Sequence, residues 1–302
     1  MSRAWVERRW KRVWMPVLRL LHPRVEVTVR GTRLTVDLRD RKLGRMLYQG
    51  RDHEATLARL FECADLEGST CLDIGANIGL HTLALSRLVG PVGRVFAFEP
   101  APPSFALLEH NLRRNGAGNV TAHRAAAGDR AGTGRLAFNP RNHADNRLAA
   151  DAPAAWKRVD VPVVAIDERL ADVAPGRVAF VKIDVQGWEC YVLRGMRTLL
   201  ARNPQAIIAI EMFPDGLREA GASGAELAQL VRDLGLRGWE FGSDRLAPMH
   251  EPWVYDLLRG VVDLVVSRDA PRLESALDRW RGGPLRPVDQ FHSGEGPAAV
   301  GA

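Results

Sequence analysis

Acidic residues that close short apolar runs are the first places in this chain where side chains and spacing suggest chemistry. Leu72-Asp73-Ile74-Gly75-Ala76-Asn77-Ile78-Gly79 reads as a strand ending in Asp-x-Gly-x-x-x-Gly. Glycines there let the backbone turn sharply toward a ligand, and the helix that follows presents free amides. The spacing differs from the Gly-x-Gly-x-x-Gly turn that cradles a diphosphate. Asp73 can instead receive an ammonium, and the loop built on Gly75, Asn77 and Gly79 a carboxylate, the two charges on the amino-acid end of S-adenosylmethionine (SAM). Glu99, closing Phe96-Ala97-Phe98-Glu99-Pro100, stands where an acid accepts from both hydroxyls of a ribose, which specifies an adenosine rather than a reaction. Asp129 is either an acceptor for an adenine amino group or a turn residue.

A second group sits further along. Val181-Lys182-Ile183-Asp184-Val185-Gln186-Gly187-Trp188-Glu189 ends another strand, so Asp184 is expected beside the first crevice, with Lys182 two residues back on the same side. Only four lysines occur in a chain otherwise served by arginine, and one retained inside an apolar strand suits a compact amine. Asp184 is the expected base, or the group that orients a hydroxyl, and Lys182 the cation that stabilises developing alkoxide charge. Glu211 ends the strand after that and adds a carboxylate to the same rim. A second reading has Asp184 and Glu211 holding a divalent cation that binds acceptor oxygens; the cation is not expected, since too few further ligands can be named. His143, in the polar segment 139–147, is a candidate acceptor contact or a solvent loop residue, and His81 is expected to cap or pack.

Positioning such groups takes alternating strands and helices. Strands are expected at Cys71–Ile74, Val95–Phe98, Val120–Ala126, Val178–Asp184, Ile207–Glu211 and Val261–Ser267, and helices at His81–Leu88, Phe105–Asn115, Trp188–Ala201 and Ala225–Leu234. That alternation predicts an α/β fold, a Rossmann-like, mostly parallel seven-stranded sheet with helices on both faces. The expected organisation is a basic amphipathic helix over 1–24, a β-hairpin extension over 25–50, a SAM-binding domain over 51–270 and a partly disordered tail over 271–302.

Seven basic residues stand against Glu7 alone in the first 24 residues, so the net charge of +6 is concentrated there and the remainder is neutral in sum. A nucleic-acid-binding core needs a basic face of its own, so no nucleic acid is expected. The arm, with Val6, Trp10, Val13, Trp14, Val17 and Leu21 at helical spacing, suits packing on the body, a second subunit or an anionic membrane surface. No apolar run approaches the ~18 residues that span a bilayer, and three scattered cysteines form no ligand cluster. The expected location is cytoplasmic, with peripheral contact at the inner membrane surface as an option.

Taken together, Asp73-Ile-Gly-Ala-Asn-Ile-Gly79, Phe98-Glu99-Pro100, Ala126-Ala-Gly-Asp129, Lys182-Ile-Asp-Val-Gln-Gly-Trp-Glu189 and Val192-Leu-Arg-Gly195 make the chain resemble the FkbM family of methyltransferases, in that family's order from about Val25 to Ser267. The resemblance implies a SAM-dependent enzyme, usually an O-methyltransferase acting on sugars, glycans or hydroxylated natural products. Two departures stand out: Gln186 where the family has Glu, and His53-Glu54 where it often has Tyr-Glu. The alternatives are a protein or RNA methyltransferase docked through the arm, or a non-catalytic Rossmann-type scaffold.

Overall fold

Val-Glu-Val-Thr-Val and Leu-Thr-Val-Asp alternate as half-buried strands must, and they fold back on each other as β1 (Arg24–Val29) and β2 (Thr32–Asp37), paired antiparallel. The two residues between them, Arg30 and Gly31, both lie at positive φ, the requirement of the tight hairpin turn whose twist matches the strands. The computed structural model describes residues 17–51, 55–139, 142, 145–148, 156–242, 246–258 and 260–282. Residues 17–21 are helical and the chain leaves the helix at His22-Pro23 to enter β1 at Arg24, short of the expected end at 24; residues 1–16, His53-Glu54, His143 and residues 283–302 lie outside the described residues.

After α1 (Leu43–Tyr48) and α2 (Ala55–Cys63) the chain alternates: β3 (Thr70–Ile74), α3 (Leu80–Val89), β4 (Arg94–Phe98), α4 (Pro102–Arg114), β5 (Val120–His123). Three strands, β6 (Ala126–Gly128), β7 (Gly132–Phe138) and β8 (Arg147–Leu148), precede the long β9 (Lys157–Ala165) and α5 (Ile166–Arg169). Then follow β10 (Val178–Ile183), α6 (Glu189–Arg194), α7 (Arg197–Arg202), β11 (Ile207–Met212), α8 (Pro214–Glu219), α9 (Gly224–Asp233), β12 (Arg237–Phe241), β13 (Leu246–Pro248), a 3₁₀ turn (Pro252–Asp256), β14 (Val262–Ser267) and α10 (Ala270–Gly282).

The main sheet runs β13-β12-β14-β11-β10-β3-β4-β5. The five strands from β11 to the edge strand β5 are parallel, and β14 inserts antiparallel between β11 and β12. Eight strands replace the expected seven because β13 adds an edge to β12. Of the parallel strands, β3, β10 and β11 are buried on both faces, as their largely apolar runs require, whereas the edge strand β5 is half-exposed. One face is covered by α6, α7 and α9, the other by α2, α3 and α10.

Three expectations need correction. The apolar run expected as one strand over 120–126 is two, with β5 closing the main sheet and β6 opening a second sheet of order β6-β9-β7-β8. The helix expected over 188–201 breaks at Gly195, where a Cβ would fall 1.8 Å from the Gly128 carbonyl oxygen, so the chain turns to let two backbones meet. The expected tail begins as a helix: Leu273, Ala276, Leu277 and Trp280 of α10 are buried, with α2 packed alongside. The small sheet escapes periodicity because Gly132 and Gly134 weaken β7 and Pro162 interrupts β9, residues that argue against strand.

Candidate active site

Everything expected at the ends of β3, β4 and β10 converges on one edge of the main sheet. The β3–α3 loop is set by backbone: the amides of Gly75 and Ala76 donate to the Phe98 carbonyl at 2.9 and 3.0 Å, and Asn77 sits at φ +50 with its amide on Glu99 Oε2 at 2.8 Å. Gly75, at φ +84, lies so close to β10 that a Cβ would fall 1.8 Å from the Asp184 carbonyl oxygen. Those amides are therefore engaged within the protein, which corrects the expectation that they receive a ligand carboxylate. Gly79 serves packing rather than a ligand, since it turns at φ +93 with Leu108 pressed against it.

Asp73 is likewise corrected. Its carboxylate is fully buried, accepts from the Thr82 hydroxyl at 2.5 Å and faces Lys182 Nζ at 3.4 Å, and it lines neither of the two clefts described below. The register explains this: Asp73 and Lys182 are directly paired on neighbouring strands, so the two charges meet inside. Lys182 Nζ also donates to the Gly75 carbonyl at 2.9 Å and lies 3.3 Å from Asp184 Oδ2. Asp73 thus anchors the loop from beneath through Lys182.

Two clefts meet at Asp184. The first, of about 570 Å³ including open solvent, is lined by Gly75, Asn77, Glu99, Asp184, Gln186 and Trp188, together with Leu136, Arg147 and Leu148 of the small sheet. Glu99 holds the Asn77 and Ala101 amides, and burial pushes its carboxyl up to about 7. The second, of about 730 Å³ including open solvent, is lined by Lys182, Asp184, Glu211, His81, Phe241 and Asp263. Asp129 is exposed and belongs to neither cleft, because Gly195 packs against its backbone beyond the end of β6. His81 packs edge-on against Phe61, with ring centroids 5.4 Å apart.

Arg147 and Trp188 carry no periodic signal that marks them as site residues, yet both line the first cleft. Arg147 is buried between Asp145 at 2.7 Å and Glu219 at 3.0 Å and lies over the rings of Trp156 and Phe213. The Trp188 ring stacks on Tyr191 at 3.9 Å, and its Nε1 is buried with no hydrogen-bond acceptor among the described residues. Among the described residues no group of three or more His, Cys, Asp or Glu is placed to hold a metal ion, and no helix is long and apolar enough to cross a membrane.

The sequence profile of the methyltransferase FkbM domain matches residues 73–237, more than half of the chain and the whole stretch from Asp73 to the start of β12. The chain belongs to the FkbM methyltransferase family. It is 33% identical over 148 residues to methyltransferase 1 of Beauveria bassiana, covering 43% of this chain and 59% of that protein. It is 30% identical over 158 residues to the 31-O-demethyl-FK506 methyltransferase FkbM of Streptomyces tacrolimicus, covering 43% and 60%. The chain therefore spans about three fifths of the length of these relatives. The hexuronic acid methyltransferase AglP of Haloferax volcanii is 30% identical over 189 residues, covering 61% and 74%. Among solved structures, a methyltransferase FkbM from Methylobacillus flagellatus aligns with a TM-score of 0.40 at 20% identity, covering 66% and 43%.

The cofactor that membership of this methyltransferase family implies is SAM. The first cleft fits it on its own terms. A carboxylate stands at the end of β4, and Asn77 Oδ1 and Trp188 Nε1 are a buried acceptor and donor without partners among the described residues. A polar ligand in that cleft is what such orphaned groups call for.

Proposed function

We propose that this FkbM-family chain transfers the methyl group of SAM to a hydroxyl of a sugar, glycan or hydroxylated natural product. One observation carries the reading: Asp184 forms the wall common to the two clefts, so a group held in one can reach a group held in the other past its carboxylate. When bound, SAM supplies a methyl on a sulfonium, which a nucleophile must approach in line.

The chain's own residues do the rest. Glu99 accepts from the ribose hydroxyls, Asn77 Oδ1 from the ammonium, and Trp188 walls the cleft. A hydroxyl in the second cleft donates to Asp184, which takes its proton as the oxygen attacks. Lys182, 3.3 Å from Asp184, is the cation that stabilises negative charge developing on the acceptor oxygen as its proton leaves. Leu136, Arg147 and Leu148 close over the cofactor and keep water from competing.

The test is incubation with methyl-labelled SAM and fractionated extract, followed through glycan, lipid, small-molecule, protein and RNA pools. Label is expected in a hydroxylated glycan or small molecule as an ether. Asp184→Asn should then lower turnover by roughly 10²- to 10⁴-fold while leaving S-adenosylhomocysteine affinity within a few-fold. Label appearing only in protein or RNA, or an unchanged rate in the variant, overturns the reading.

A further inference from the structure

Gln186 places an amide between two acids. Its Nε2 donates to Asp184 Oδ1 at 2.7 Å and to Glu211 Oε1 at 3.0 Å, so one amide nitrogen spends both of its N–H bonds on carboxylates. The opposite orientation would set the amide oxygen against two negative oxygens. Lys182 holds the other oxygen of Asp184, which leaves that carboxylate pinned from both sides.

The backbone is committed to this arrangement. Gln186 sits at φ +54, a conformation that costs a side-chain-bearing residue of order 1 kcal/mol or more. Gly187 follows at φ +111 with its Cα against Gly216, where a Cβ would fall 2.2 Å from backbone carbon, so the loop has no room to relax. Two carboxylates brought this close repel, and Asp263, the cross-strand partner of Glu211, adds a third acid nearby. The two N–H donors of the Gln186 amide stand between the first two, where in oxygen-rich sites a divalent cation commonly does.

We propose that Gln186 is a positioning residue that takes the place of a bridging divalent cation, holding Asp184 and Glu211 together on the wall of the second cleft. What the held pair does rests on the methyl-transfer reading above; that the amide stands in for a cation does not. A consequence follows from shape. Gln186→Glu keeps the length of the side chain and turns two acids around a donor into three acids around a gap, the donor set of a hard cation.

The experiment uses the full chain as wild type, Gln186→Glu, and Gln186→Glu with Glu211→Gln. Mn²⁺ binding is read from loss of the free-ion electron paramagnetic resonance signal, and the thermal shift caused by S-adenosylhomocysteine reports an intact fold. One equivalent of Mn²⁺, displaced by Mg²⁺, should bind Gln186→Glu at least tenfold more tightly than wild type, and Glu211→Gln should abolish the gain. If Gln186→Glu alone fails to fold, Mn²⁺ present during refolding should restore the S-adenosylhomocysteine shift. A folded Gln186→Glu protein that binds Mn²⁺ no better than wild type overturns the proposal, as does an unfolded one that Mn²⁺ does not rescue. A wild-type chain without any S-adenosylhomocysteine shift, but with the Mn²⁺ pattern intact, sinks the methyl-transfer reading and leaves the role of Gln186 standing.

Discussion

At Glu99 one carboxylate serves two purposes. It accepts the Asn77 and Ala101 amides and so ties the β3–α3 loop to the start of α4, while facing the cleft where a ribose is proposed to sit. Each carboxylate oxygen keeps a second lone pair for a hydroxyl. Glu99→Ala should therefore raise the dissociation constant for S-adenosylhomocysteine roughly 10- to 100-fold by calorimetric titration, the worth of one or two hydrogen bonds to a charged acceptor. Unchanged affinity would remove Glu99 from the ribose. The position of Glu99 after an apolar strand was legible in sequence, and so was that of Asp184. That Asp73 turns inward was not, because its neighbour Lys182 is 109 positions away and meets it only across the sheet.

Elements show the same division. Periodicity reads β3, β4, β10 and β11 because they are largely buried and carry largely apolar runs. It overlooks α10, whose apolar residues lie among charges and depend on α2 for a partner. Leu277 is nearly fully buried there, so Leu277→Ala should lower unfolding free energy by about 2–5 kcal/mol in urea titration. A change within ±0.5 kcal/mol would mean that α10 is not part of the core. The hairpin is tied in by a polar device with no periodic signature. From α4, Asn111 accepts the Thr35 amide at 2.7 Å and donates to the Thr35 carbonyl at 3.2 Å and the Ile78 carbonyl at 2.8 Å, joining β2 to the glycine loop.

For the molecule as a whole, the acids stored near the site make stability depend on pH. Burial pushes the Glu189 carboxyl up to about 8 from an ordinary 4.5, with amide bonds from the loop opposing and Asp184 adding to the rise. Between those two values the folded protein keeps a proton that the unfolded chain releases, so stability falls as pH rises through the window. Glu189→Gln cannot ionise and escapes that loss. In paired thermal melts the variant's difference from wild type should be constant below about pH 4, shift progressively in the variant's favour as pH rises from there to about 8, and level off above; a difference that does not change with pH would show that Glu189 is charged when folded. The succession of the main strands and helices along the chain, the glycine loop and the acids at strand ends were determined by the sequence alone, because each depends on neighbours a few residues away. Which of those acids face a cleft, which turn inward, and how Gln186 comes to lie between Asp184 and Glu211 were decided only by the tertiary structure, since register between strands distant in sequence sets which charges meet and which reach solvent.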